Sequence, residues 1–326
     1  MDLSTKYNGL TIKNPIIIGS SGLTNTVEKN KKLAENNAGA IVMKSLFEEQ
    51  IMNEAYSEMK NNAEIYAEAH DYITNYSKEK SLEEYLKVIE ETKKAVDIPV
   101  IASINCMSAS SWTSFAKKIE ESGADALELN ISNLPTDLDK KSADYEKVYF
   151  DIVEQISKEV SIPLSLKLNF YSAGLSNLIR TLDWTQKIKS FILFNRFYSP
   201  DFDIEEMKIT SSNVFSNEGD YTRTLRWTAL MYGNIEAEII SSTGIHSGES
   251  AVKQILAGAN AVQVVSAIYK HGPEYINTIL TDIEAWMQKK SFNSIDDFKG
   301  KLSYDSVENP TAFERIQFMK YYGGIS

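Results

Sequence analysis

Residues 97–105 read Asp97-Ile98-Pro99-Val100-Ile101-Ala102-Ser103-Ile104-Asn105. A polar helical stretch ends at the aspartate, the proline stops it, and an aliphatic run follows and closes on an asparagine. Proline lacks the N–H a helix needs and pushes its predecessor towards extended backbone, so this is a helix-to-strand joint. The same grammar returns in Ser161-Ile162-Pro163-Leu164-Ser165-Leu166-Lys167-Leu168-Asn169. A glycine version recurs as Gly39-Ala40, Gly123-Ala124 and Gly258-Ala259, each a residue or two before an aliphatic run, where a helix C-cap glycine belongs.

Outward from these joints the pattern covers the chain. Aliphatic runs predict strands at 16–19, 40–44, 100–105, 126–130, 164–169, 191–195, 238–241 and 261–265. Their near-continuous Ile, Val, Leu and Ala content is that of parallel strands buried on both faces. Amphipathic stretches between them predict helices at 27–37, 82–96, 110–122, 143–160, 176–189, 222–232, 248–257 and 273–290. Eight strand–helix units predict an α/β fold of the closed (β/α)8 TIM-barrel type over residues 1–326 as one domain. No G-x-G-x-x-G follows the first strand, which argues against a dinucleotide-binding sheet.

Two connections are long, 45–81 after the second strand and 196–221 after the sixth. Both leave the C-terminal ends of strands, where barrels build active sites, so both are expected to be lids or substrate walls. The tail from 291 onward is expected to dock as an aromatic helix carrying Phe313, Phe318, Tyr321 and Tyr322.

Composition narrows the function. The formal net charge is −11, with Lys and Arg scattered along polar helix faces, which argues against nucleic acid as the main partner. One cysteine, Cys106, excludes an intrachain disulfide. The three histidines (His70, His246, His271) lack metal-ligand spacing. Neither a signal-peptide pattern nor an apolar run of membrane-spanning length is present, so a cytoplasmic protein with no membrane partner is expected.

The strand C-termini collect polar groups: Lys44-Ser45, Asn105, Asn130, Lys167 with Asn169, Asn195-Arg196, Ser242-Thr243-Gly244 and Ser266. Lys44 and Lys167 stand in apolar strands, where an ammonium needs a partner. An anionic ligand would supply it; the alternative is that each snorkels to solvent or pairs with a barrel carboxylate. Ser242-Thr243-Gly244 before a helix start at Gly248 suits a phosphate, which barrels often hold after strands seven and eight.

These residues resemble the soluble dihydroorotate dehydrogenases, and more closely the dihydroorotate-dehydrogenase-like proteins without the usual base. The likeness runs through Asn14-Pro15, Ser20-Ser21-Gly22, Met43-Lys44-Ser45, Glu128-Leu129-Asn130-Ile131-Ser132, Leu166-Lys167-Leu168, Thr243-Gly244-Ile245 and His271-Gly272-Pro273. It implies an FMN-dependent oxidoreductase of pyrimidine biosynthesis, acting on CH–CH groups of a small-molecule substrate, commonly as a homodimer. It implies that Ser20, Ser21, Lys44, Ser45, Asn130 and Lys167 meet the flavin, and that Thr243, Gly244, Val265 and Ser266 hold its phosphate. Asn130, Asn195 and Arg196 become candidates for binding substrate.

The departures bear on chemistry. Asn133 stands where the family carries its catalytic cysteine or serine, and a carboxamide has no useful basicity. Ala69-His70-Asp71-Tyr72 stands near the family's Asn-Ser-Met-Gly-type segment, which makes His70 a candidate replacement base. Arg196 suits a substrate carboxylate or a pairing with Asp201 or Asp203. Cys106 reads as an inert thiol. Three functions stay open: an FMN oxidoreductase of a small polar or carboxylate substrate, a flavin-binding barrel with little dihydroorotate turnover, and a phosphate-binding lyase using Lys44 or Lys167.

Overall fold

A computed structural model describes residues 1–53, 67–106 and 109–314. The strands are β1 (Thr5–Tyr7), β2 (Leu10–Ile12), β3 (Ile16–Ile18), β4 (Ala40–Val42), β5 (Leu46–Phe47), β6 (Val100–Asn105), β7 (Ala126–Asn130), β8 (Leu164–Lys167), β9 (Ser190–Leu193), β10 (Pro200–Asp203), β11 (Lys208–Ser211), β12 (Glu238–Ser242) and β13 (Ala261–Val264). The helices are α1 (Val27–Glu35), α2 (Ala67–Ala95), α3 (Ala109–Glu121), α4 (Ser142–Glu159), α5 (Leu175–Asp183), α6 (Tyr221–Met231), α7 (Gly248–Ala257), α8 (Ser266–His271), α9 (Tyr275–Lys290) and α10 (Thr311–Glu314).

Eight parallel strands pair in the circular order β3, β4, β6, β7, β8, β9, β12, β13, and β13 returns to β3. The sheet is a closed (β/α)8 barrel, as the repeated joints predict. Inward residues alternate along each strand and fill the cylinder in two layers. The lower layer is apolar: Ile17, Ala40, Val42, Ile101, Ala126, Ile192, Ile240 and Ala261, plugged from below by Tyr7 and Ile12 of the β1–β2 hairpin. Above it the inward positions are polar, with Ser103, Glu128, Ser165, Lys167 and Gln263 all buried. A second, larger apolar shell lies between the strands and the surrounding helices.

Three expectations change. Residues 67–81 are helical and belong to α2, where a loop was expected. That stretch has good helix formers but lacks a clear apolar stripe, so periodicity missed it. The loop 196–221 contains the β10–β11 hairpin, with Phe202 opposite Ile209. The helix predicted for 176–189 stops at Asp183: Gln186 has φ +58°, and the Asp183 carboxylate accepts N–H bonds from Glu236 and Ala237 at 3.0 and 2.9 Å. In the tail, Phe313 lies 6.5 Å from Tyr304, ring to ring. Phe318, Tyr321 and Tyr322 fall outside the described residues.

Candidate active site

The site begins with an irregularity in the barrel wall. Ile41 and Val42 pair with Val100 and Ile101, but Leu46 and Phe47 pair with Ile104 and Asn105. Three residues, Met43–Ser45, therefore face two, Ala102 and Ser103. This bulge reverses the inward–outward alternation after Val42. Ser45 turns into the barrel, where its Oγ lies 2.6 Å from Ser103 Oγ and 3.1 Å from Ser20 Oγ. Lys44 turns out and is exposed, against the buried strand lysine that the sequence suggested. It lines a cavity of about 280 Å³ outside the wall, with Thr24, Gln50 and Tyr85.

The bulge leaves the Ser103 backbone without a strand partner on that side. Tyr85 of α2 fills the gap: its hydroxyl accepts from the Ser103 N–H at 2.8 Å and donates to the Ser103 carbonyl at 3.0 Å. Burial pushes this phenol well above its ordinary pKa, so it stays a neutral hydrogen-bonding plug.

Lys167 does point into the barrel, but a protein carboxylate already faces it. Its Nζ donates to Gln263 Oε1 at 3.1 Å and lies 3.6 Å from Glu128 Oε1. Gln263 Nε2 donates to Glu128 Oε2 at 2.7 Å, closing a three-membered polar ring. Glu128 has no solvent exposure. The barrel-carboxylate alternative therefore holds for Lys167, and its burial alone is no argument for an anionic ligand.

Above this ring the carboxamides connect. Asn195 Nδ2 donates to Asn130 Oδ1 at 2.9 Å, and Asn105 Nδ2 donates to the Asn130 carbonyl at 2.6 Å. Beside them opens a cavity of about 460 Å³ at the C-terminal mouth of the barrel. Ser20, Lys167, Asn195, Thr243, Gly244 and Ser266 line it, together with Arg196 and Val265. Small-molecule sites span about 300–1,000 Å³, so the volume suits a cofactor or substrate.

The roof is the loop 196–221. Arg196 does not pair with Asp201 or Asp203. Its guanidinium donates to the carbonyls of Asn213, Val214 and Phe215 and pins that strip over the cavity. Ser216 N donates to Ser266 Oγ at 3.0 Å, and Ser216 Oγ lies 2.9 Å from His246 Nε2. His246 is buried, and burial, with Lys270 nearby, holds its pKa below the ordinary value. At neutral pH the ring is uncharged and latches the loop. Thr243 and Gly244 follow β12 in left-handed conformation, φ +75° and +81°. A Cβ on Gly244 would meet Tyr221 N at 2.2 Å, so the turn is pressed against the start of α6.

Several predicted site residues stand elsewhere. The Asn133 carboxamide donates to the Tyr145 carbonyl at 3.1 Å and lines a separate cavity of about 200 Å³ with Tyr149 and Asn169. Burial pushes Tyr149 up to about 12, so its phenol is no ready base; the cavity's carboxylate is Glu146, which accepts from Ser172 Oγ at 3.3 Å. Ser21 caps the turn at Gly22–Thr24, accepting from Leu23 N at 3.2 Å. His70 lies on α2, and its side chain falls outside the described residues. Cys106 is half-buried, its thiol pushed up first by desolvation and then by Glu48, which agrees with an inert thiol. Among the described residues no group of His, Cys, Asp and Glu could hold a metal.

Sequence reasoning missed Glu128, Gln263, Ser103, Tyr85 and Ser216 as site residues. For Glu128 a signal was present: a carboxylate at the same inward parity as Asn130 in an otherwise aliphatic strand.

The dihydroorotate dehydrogenase family model matches residues 2–287. The chain is 26% identical over 316 residues to a Thermoplasma volcanium protein named dihydroorotate dehydrogenase B (NAD(+)), catalytic subunit, covering 92% of this chain and 98% of the relative. It is 29% identical over 329 residues to a Lactococcus lactis subsp. lactis protein named dihydroorotate dehydrogenase A (fumarate), covering 92% and 99%. The family's enzymes are oxidoreductases of CH–CH groups. By fold and by sequence along most of its length, this chain belongs to the dihydroorotate dehydrogenase family.

Proposed function

We propose that the chain is an FMN-dependent oxidoreductase of a small polar or carboxylate-bearing substrate, and that dihydroorotate is a poor one. One observation carries the flavin reading. Lys167, Ser20, Asn195, the left-handed Thr243-Gly244 turn and Ser266 converge on a single cavity at the barrel mouth. The donor set fits a planar, amide-edged, phosphate-bearing group. An ammonium and carboxamides suit the ring's oxygen and nitrogen edge, and hydroxyls with turn backbone suit a phosphate. Bound there, FMN would supply the acceptor for a substrate hydride.

The chain's own residues would do the remainder. Lys167 would hold the electron-rich edge of the ring and offset negative charge that builds there. Ser20, Thr243, Gly244, Val265 and Ser266 would anchor the chain and phosphate. Asn130 and Asn195, bonded to each other, would offer substrate the amide N–H that each has left beyond its bond to Ser45 and to Asn130 respectively. The strip 213–216, pinned by Arg196 and latched by Ser216, would keep water from the cavity. The names of the relatives point to a small soluble oxidant of the NAD(+) or fumarate kind as final acceptor. Cytoplasmic residence is the expectation that goes with the lack of a signal pattern and a homodimer the one that goes with the likeness, and sedimentation equilibrium of the purified chain checks the latter.

The weak dihydroorotate reading rests on Asn133. It has no basicity to lend, and its carboxamide is committed to the Tyr145 carbonyl. Anaerobic mixing tests this. Dihydroorotate should leave the visible absorbance of the flavin-loaded protein nearly unchanged over minutes while dithionite bleaches it at once. Bleaching by dihydroorotate as fast as in a thiol-bearing relative would overturn it.

A further inference from the structure

We propose that Glu128 is a positioning residue of the site: its buried carboxylate orients Lys167 and sets how much positive charge the barrel mouth presents to a bound flavin. The proposal rests on the flavin reading above and deepens it.

Three observations support it. First, Glu128 is fully buried one strand away from Lys167, and its two oxygens are divided between neighbours. Oε2 accepts from Gln263 Nε2 at 2.7 Å, while Oε1 is 3.4 Å from Ser103 Oγ and 3.6 Å from Lys167 Nζ. Second, Gln263 ties the charged pair together, because its other end accepts from Lys167 Nζ at 3.1 Å. An ammonium carries three N–H donors. Gln263 engages one, and the long contact to Glu128 leaves the ammonium free to present another to the cavity that it lines. Third, the remaining cation lining that cavity, Arg196, is committed to the carbonyls of residues 213–215. The charge balance below the ring is therefore set by Lys167 and Glu128 together.

The consequence has a definite sign. Two-electron reduction adds negative charge to a flavin ring. The ammonium favours that state and the carboxylate opposes it. A carboxylate held at fixed distance from the lysine thus lowers the tendency of the bound ring to accept electrons, relative to a bare lysine. A purely structural Glu128 would affect folding and not this tendency.

The test is the midpoint potential of the flavin-loaded protein, with flavin uptake measured alongside. E128Q keeps shape and removes the charge. It should favour the reduced form at least tenfold, an upward shift of about 30 mV for a two-electron couple. E128D keeps the charge but withdraws it by one methylene, so it should shift the same way by less. It also covers the case in which E128Q fails to fold. A potential equal to wild type in the folded variants, or one that moves down, overturns the proposal even if their melting temperatures fall. If wild type takes up no flavin at all, the flavin reading fails and this proposal falls with it. Normal uptake with an unmoved potential sinks the Glu128 role alone.

Discussion

Replacing Tyr85 with phenylalanine probes the bulge that shapes the site. The ring's packing is kept and only the hydroxyl is lost. That hydroxyl is the partner of both the Ser103 N–H, at 2.8 Å, and the Ser103 carbonyl, at 3.0 Å. Ser103 has no solvent exposure, so water cannot replace it without opening the wall. A buried polar group left unpaired costs about 1–3 kcal/mol, so the two together should cost about 2–6 kcal/mol. In urea the midpoint should drop by that energy divided by the slope, with the slope itself unchanged. In a chain of this size about 2 °C of melting temperature is lost per kcal/mol, giving a fall of about 4–12 °C. The reasoning fails if Y85F lies within about 0.5 kcal/mol of wild type, the range of ordinary surface changes. That result would mean that the strand backbone at 43–45 pairs with Ser103 by itself, and that the bulge does not depend on the phenol.

Other outcomes follow from the same geometry. Gly244→Ala adds a Cβ 2.2 Å from Tyr221 N at a residue with φ +81°, so it should both destabilise the protein and weaken flavin uptake; denaturation and titration measure the two. K167M leaves Glu128 buried without its cation and should cost about 3–5 kcal/mol in denaturant, while K167M/E128Q should recover much of that loss. The His246 latch should depend on pH. Its folded pKa lies below the unfolded value of 6.5 because burial disfavours the charged ring. The stabilising contribution is thus full above pH 6.5 and is lost as pH falls below that value towards the folded pKa. Hydrogen exchange over 213–216 should quicken on that descent in wild type and be much less pH-dependent in H246Q.

Much of the fold was legible because parallel barrel strands are buried on both faces and read as aliphatic runs bounded by proline or glycine stops. Val100–Asn105 and Ala126–Asn130 carry that signal at both ends, and the structure has them at those bounds. The bulge was not legible. A shift of one residue between β4 and β6 depends on pairing across 58 residues, and nothing in Met43-Lys44-Ser45 announces it. It alone decides that Ser45 faces the barrel and Lys44 does not. The partner of Lys167 was half legible: Glu128 stands out in its strand, but its meeting with Lys167 and Gln263 needs the closed cylinder. Arg196 was misjudged because the carbonyls that hold it lie 17–19 residues on, beyond a hairpin whose residues read as loop.

Flavin uptake is the measurement that bears hardest on this reading of the barrel mouth. The purified chain, stripped and then titrated with FMN, should bind one equivalent, with quenched flavin fluorescence and a structured visible band. Riboflavin, which lacks the phosphate, should bind far more weakly, because the Thr243-Gly244 turn and Ser266 would have nothing to hold. Failure of the folded chain to take up FMN in excess would contradict the assignment of this cavity outright.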